Sequence, residues 1–107
     1  MLALKKCVPC VGAEALSPQQ IDAMLAEASG WQLIVQERAP AIRRKFTFKN
    51  FAESLAFVNQ VGAVAEAENH HPEIDFGWGY AVFTLYTHDI GGLHENDFIV
   101  AAKINAL

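Results

Sequence analysis

Three histidines carry the chemistry this sequence offers: His70 and His71, adjacent and followed at once by Pro72, and His88 further along the chain. Imidazole titrates near neutrality, so a modest environmental push moves it toward acid or base. The set suits proton traffic near pH 7. Helix is disfavoured at the residue before a proline, because the ring crowds that residue's backbone. Asn69, His70 and His71 are therefore expected in the last turn of a helix or just beyond it. There the negative end of the helix dipole favours a protonated ring, and a histidine at such a place can also be a plain charge partner of the dipole. Glu66 stands four residues before His70, on the same helix face and within reach to orient that ring. A zinc site fits poorly. Helical ligand pairs use i,i+4 spacing, whereas neighbours splay by about 100°, and no third ligand stands at a recognisable distance.

These residues need a scaffold, and the composition supplies one. The chain has 107 residues, 52% of them hydrophobic and 19% charged, which describes one ordered domain over 1–107 with a modest core. A net charge of −4 argues against general binding to a phosphate backbone, so no nucleic-acid partner is expected. No apolar run approaches a membrane span, and Met1–Leu4 is too short for a signal core, so a cytoplasmic location is the default expectation. Cys7 and Cys10 form the only C-x-x-C pair. They precede any strand and lack a second pair, so they read as inert residues of a flexible or loosely packed segment, 1–16.

Ser17-Pro18-Gln19-Gln20 is a helix start, with serine as cap, proline in the first turn and Gln20 completing a capping box. Ile21, Met24, Leu25 and Ala28 form its apolar stripe, and Ser29-Gly30 ends it. Residues 31–36 alternate, with Trp31, Leu33 and Val35 on one face. Ala39-Pro40-Ala41 reads as a turn, and residues 42–48 alternate again, completing a hairpin with a loop longer than the tightest type. Arg43, Arg44 and Lys45 read as a solvated strand face. Asn50 caps a helix running from Phe51 to about His70. Phe51, Leu55, Val58, Gly62 and Ala65 form one stripe of it, and Phe57, Val61 and Val64 a second. Apolar residues on two faces imply cover on both, the second by another subunit. Two more strands follow, separated by Gly77-Trp78-Gly79. In the later one Tyr86 and His88 share a face away from Phe83 and Leu85, where a pocket lining belongs. After Gly91-Gly92 a last helix begins near His94, with Asp97 close to its positive end. The order α-β-β-α-β-β-α predicts an α+β two-layer sandwich, a four-stranded antiparallel sheet with three helices on one face.

On these residues the sequence resembles the pterin-4a-carbinolamine dehydratase family. The family motif is an acidic residue, three positions, His-His-Pro, an aromatic, a histidine and a later aspartate. It is met at Glu66, His70, His71, Pro72, Trp78, His88 and Asp97. Gly30-Trp31, Thr87-His88-Asp89 and Gly91-Gly92-Leu93 are similar too, and the likeness covers most of residues 17–105. There are two departures. Gly79 follows Trp78 where many members have asparagine, which bears on pterin contacts or turn geometry. His94 stands where many have threonine or serine, which is expected to weaken a helix cap by about 1 kcal/mol.

The resemblance implies dehydration of 4a-hydroxytetrahydropterin to quinonoid dihydropterin, in tetrahydropterin recycling beside an aromatic amino-acid hydroxylase. One group protonates the departing hydroxyl while another accepts a ring-nitrogen proton, so neither metal nor organic cofactor is implied. It points to His70 and His88 for proton transfer and His71 for holding the substrate. Glu66, Pro72, Trp78 and Asp97 are the implied substrate-binding or supporting residues. It also implies a homodimer or homotetramer. The alternative reading is a non-enzymatic module that binds dimerisation helices, as a transcriptional coactivator, through the Phe57-Val61-Val64 stripe.

Overall fold

The computed structural model describes residues 1–9, 12–36 and 39–107. Within them α1 spans Pro18–Leu25, β1 Gln32–Gln36, β2 Ala39–Thr47, α2 Phe51–Glu68, β3 Glu73–Gly77, β4 Tyr80–Leu85 and α3 Glu95–Asn105. Short 3-10 turns at Leu2–Leu4 and His88–Ile90 complete the order. The sheet is antiparallel throughout, with strand order β1-β2-β4-β3. Ile42, Ala81, Phe83 and Leu85 face the helices and are fully buried, while Arg43 and Lys45 face away. This is the expected α+β two-layer sandwich.

The local signals at the helix starts hold. Ser17 Oγ accepts the Gln20 N–H at 3.3 Å, and the Gln20 side chain accepts the Ser17 N–H at 2.8 Å. Asn50 Oδ1 accepts from Glu53 N at 2.9 Å. His94 is a better cap than its residue type suggested: its Nδ1 accepts from Asn96 N at 2.9 Å, and Asp97 accepts the His94 N–H at 3.0 Å. A ring nitrogen with a free lone pair replaces the usual hydroxyl. Gly79 sits in the β3–β4 turn at φ +79, where a Cβ would stand 3.3 Å from the Phe48 carbonyl oxygen. Glycine meets both demands.

Several expectations change. Ala39-Pro40-Ala41 is strand, with Val35 paired to Pro40 and Gln36 to Ala39. Only positions 37–38, outside the described residues, separate the strands. Proline is tolerated because pairing of β2 with β4 begins at Ile42, leaving Pro40 with a neighbour on one side only. The face expected to be apolar in β1 is open at Leu33, 45% exposed, and Val35, 76% exposed, while Trp31 just ahead of the strand is buried. Arg44 turns toward the helix side, unlike Arg43 and Lys45, and donates to Ser29 O at 2.9 Å and Asn105 Oδ1 at 2.7 Å.

The helix covered all round is α3, not α2. Residues 96–102 of α3 are all buried, under α1, α2 and the Leu2–Leu4 turn. The N-terminal segment supplies that cover. Leu2 enters the core, and Lys103 Nζ donates to Ala3 O at 2.8 Å. The loose packing expected of 1–16 therefore does not describe residues 1–9.

In α2 the core face draws on both stripes, taking Phe57 and Val61 from the one expected to face another molecule and Val58 and Ala65 from the other. Val61 is fully buried, and Phe57 packs on Phe46 and Phe83 with ring centroids 4.8 and 5.8 Å away. This removes the surface on which the helix-binding alternative was based. Val61→Glu would place an unpaired carboxylate in that core. Its cost should consume much of the about 5–15 kcal/mol that holds a typical domain together. The variant is expected to lose its cooperative thermal transition in circular dichroism. A folded variant of reduced assembly size would instead mark the stripe as an interface.

Candidate active site

The end of α2 places the first histidine. The helix stops at Glu68 because Asn69 turns left-handed, at φ 51 and ψ 40, before the proline constraint at His71 can act. Asparagine tolerates that conformation better than most residues. The His70 N–H then reaches back to Ala65 O at 3.2 Å, the 6→1 bond of a Schellman ending. The backbone of His70 is thereby held at the mouth of the helix.

Its ring is fixed by Asp97, not by Glu66 as the i,i+4 spacing implied. His70 Nε2 donates to Asp97 Oδ1 at 2.6 Å, and Asp97 has no exposed surface. The other carboxylate oxygen, Oδ2, accepts from Thr87 Oγ1 at 2.9 Å and His94 N at 3.0 Å. A buried carboxylate requires such partners, and the N-terminus of α3 adds a favourable field. With the proton held on Nε2, His70 Nδ1 is left as the basic nitrogen.

Glu66 pairs instead with His71 Nε2, and both side chains are exposed. β4 ends at Leu85, so His88 lies in the following 3-10 turn, not on the strand. It still keeps Tyr86 as its neighbour. His88 Nε2 and Tyr86 Oη are 2.6 Å apart, and the Tyr86 hydroxyl donates to Glu73 Oε2 at 3.4 Å. Each imidazole is thus backed by a carboxylate, directly for His70 and His71 and through Tyr86 for His88.

His70, His71 and His88 line one open cleft of about 580 Å³ together with Glu68, Asn69, Tyr86, Thr87, Asp89, Asn96 and residues 7–9. That volume suits a small organic molecule. Asp97 stands behind His70, outside the cleft. Pro72 leads into β3, and Trp78 occupies the turn at the far end of that strand, 71% exposed. Five strand residues at about 3.3 Å each separate the two. Within one chain, Trp78 does not join the histidines. Among the described residues, no group of three or more His, Cys, Asp or Glu is arranged to hold a metal ion.

Tyr86 was legible as the same-face neighbour of His88. Glu68, Glu73 and Asn96 carried no local signal. Neither did Cys7, read as inert, which proves to line the cleft, while Cys10 lies outside the described residues. Burial, with the Glu68 charge second, pushes the Cys7 thiol up to about 12, so it is neutral at physiological pH. The Cys7 N–H donates to Glu68 Oε1 at 2.9 Å and, with Lys103 nearby, holds that carboxyl below its ordinary range. The stabilisation is complete above the unfolded value, about 4, and is lost as pH falls through the lowered folded one.

The fold and this cleft together define a class already seen in solved structures. A crystal structure described as a transcriptional coactivator/pterin dehydratase from Brucella melitensis superposes with a TM-score of 0.78 at 33% identity, over 87% of this chain and 97% of that one. A pterin dehydratase-like protein described as a RuBisCO assembly factor of the α-carboxysome gives 0.61 at 26% identity, over 75% of this chain and 90% of that one. Residues 14–107 match the profile of the pterin 4 alpha carbinolamine dehydratase family, and the chain belongs to that family. Two relatives bear the provisional name pterin-4-alpha-carbinolamine dehydratase. The one from Rubrobacter xylanophilus is 46% identical over 99% of this chain and 97% of its own, and that from Halorhodospira halophila 52% identical over 96% and 94%.

Removing Asp97 should unsettle the site and the fold together. Asp97→Ala leaves Thr87, His94 N and His70 without their acceptor, and a buried donor left unpaired costs about 1–3 kcal/mol. Urea denaturation should show a loss of that order, and a loss under about 1 kcal/mol would contradict the role given to the carboxylate.

Proposed function

We propose that this chain dehydrates a 4a-hydroxytetrahydropterin to the quinonoid dihydropterin and water by histidine acid/base catalysis. The observation that carries the reading is the convergence of three carboxylate-backed imidazoles on one cleft, in a member of this family. The reaction breaks the C4a–O bond, so the departing hydroxyl must gain a proton while a ring nitrogen loses one. Groups that titrate near the working pH perform both transfers best, each contributing roughly 10²–10⁴-fold. His70 and His88 take the two transfers. His71, at the rim and paired with Glu66, holds and polarises the pterin. Asp97 fixes which nitrogen of His70 carries the proton, and Tyr86 orients the ring of His88, both positioning tasks.

The setting proposed is recycling of tetrahydropterin in the cytoplasm, downstream of an aromatic amino-acid hydroxylase. No helix of the described residues is long and apolar enough to cross a membrane. Assembly as a homodimer or homotetramer is part of the same reading. Leu33 and Val35 on β1, and Phe51 and Leu55 on α2 at 46% and 39% exposure, are the apolar surfaces that assembly would cover. Light scattering at micromolar concentration should give a multiple of the chain mass, and a stable monomer would contradict it.

A stopped-flow record of 4a-carbinolamine decay tests the chemistry. His70→Ala and His88→Ala are each expected to lower kcat by about 10²-fold or more, with smaller effects on KM. His71→Ala should act chiefly on KM. The double His70/His88 variant should lose less than the product of the single losses, because the two groups act as a unit. Activity should survive exhaustive chelation. Near-normal turnover in both single variants would sink the assignment.

A further inference from the structure

Residues 5–9 cross from the 3-10 turn at Leu2–Leu4 to the rim of the histidine cleft, ahead of the residues the family profile matches. Their attachments are specific. Asn96, 2% exposed, uses both ends of its amide on one residue of this strap: Oδ1 accepts from Val8 N at 3.1 Å and Nδ2 donates to Val8 O at 2.6 Å. Glu68 holds the Cys7 N–H at 2.9 Å, and Lys5 pairs with Glu95 at 2.7 Å. A buried amide is tolerated only when its hydrogen bonds are made, so the fit of Asn96 to Val8 has a clear stake in where the strap lies. These anchors sit at the end of α2 and the start of α3, beside His70 and Asp97.

The strap forms part of the cleft wall, through Cys7, Val8 and Pro9. What it presents there is neutral. Val8 is 56% exposed, Pro9 has no ionisable group, and the Cys7 thiol stays protonated. A wall without acid or base groups cannot take a proton step, but it can cover a flat ring system and limit what is attached to it. Such contacts are made alike in ground state and transition state, so they act on KM and leave kcat nearly alone.

We propose that residues 7–9 are a substrate-contacting wall that selects among pterins by their ring substituent, with Asn96 as the positioning residue that holds the wall in place. The proposal rests on the dehydratase reading above.

The test uses the full chain carrying Cys10→Ser, so that Cys7 is the one remaining thiol of the two in the sequence. Two 4a-carbinolamines are compared, one with a methyl and one with a dihydroxypropyl group on the pyrazine ring. Cys7 alkylation by iodoacetamide at pH 8 reports separately on whether the strap is closed. Asn96→Ala should speed alkylation at least tenfold, raise KM at least fivefold with kcat within twofold, and alter the ratio of the two KM values. Val8→Trp changes a residue 56% exposed whose bonds to Asn96 are made by its backbone and are kept, so it should change the same ratio without faster alkylation, and it carries the test if Asn96→Ala fails to fold. Faster alkylation with both KM values unchanged would overturn the wall. Unchanged alkylation in a folded Asn96→Ala would overturn the role of Asn96. An unchanged KM ratio in Val8→Trp would overturn the selection. A parent chain inactive toward both carbinolamines would overturn the dehydratase reading itself, and is seen before any variant is compared.

Discussion

A carboxylate with no exposed surface, Asp97, ties together three parts of the chain that are distant in sequence. Its oxygens receive a ring N–H from His70 beyond α2, a hydroxyl from Thr87 after β4, and the backbone N–H of His94 at the start of α3. Taking a charge out of water is expensive unless such partners surround it, so the carboxylate demands that all three meet at one point. The dipoles agree with this arrangement. The positive end of α3 meets the carboxylate, and the negative end of α2 lies beside His70. One buried carboxylate and the hydrogen bonds it accepts therefore set the corner of the sandwich and the orientation of a proposed catalytic ring together.

The same corner couples the core to the cleft. α3 is buried around its circumference because the N-terminal turn covers the side that α1 and α2 leave open. The chain that leaves this turn is led by Glu68 and Asn96 along the cleft rim. Packing of the N-terminal residues and shape of the cleft thus depend on one set of hydrogen bonds. On the opposite side, the Tyr86 hydroxyl and Glu73 carboxylate extend the cleft's hydrogen-bond chain across the outer sheet face to Gln36, 3.0 Å from Glu73 Oε1. The histidines accordingly sit among groups from α2, α3, β3 and the end of β4, and loosening any of these elements reaches the cleft.

The sequence by itself determined the element types and their order, and with them the two-layer sandwich. Helix and strand periods and capping signals are local, so Ser17 with Gln20 and Asn50 with Glu53 formed as their spacing implied. The motif likewise singled out His70, His71 and His88, whose rings line one cleft. Only the tertiary structure decided what each of these groups touches. Glu66 lies on the proper helical spacing for His70, yet Asn69 breaks the helix before that spacing can be used, and the ring turns to Asp97 across 27 positions of chain. Which side of α2 faced the core was equally undetermined, because both stripes are apolar and hydrophobic burial is not directional; the buried side takes Val61 from one and Ala65 from the other. Residues 1–9 carried no periodic signal at all. Their place follows from surfaces on α3 and at the end of α2 that exist only once the sheet and helices have packed.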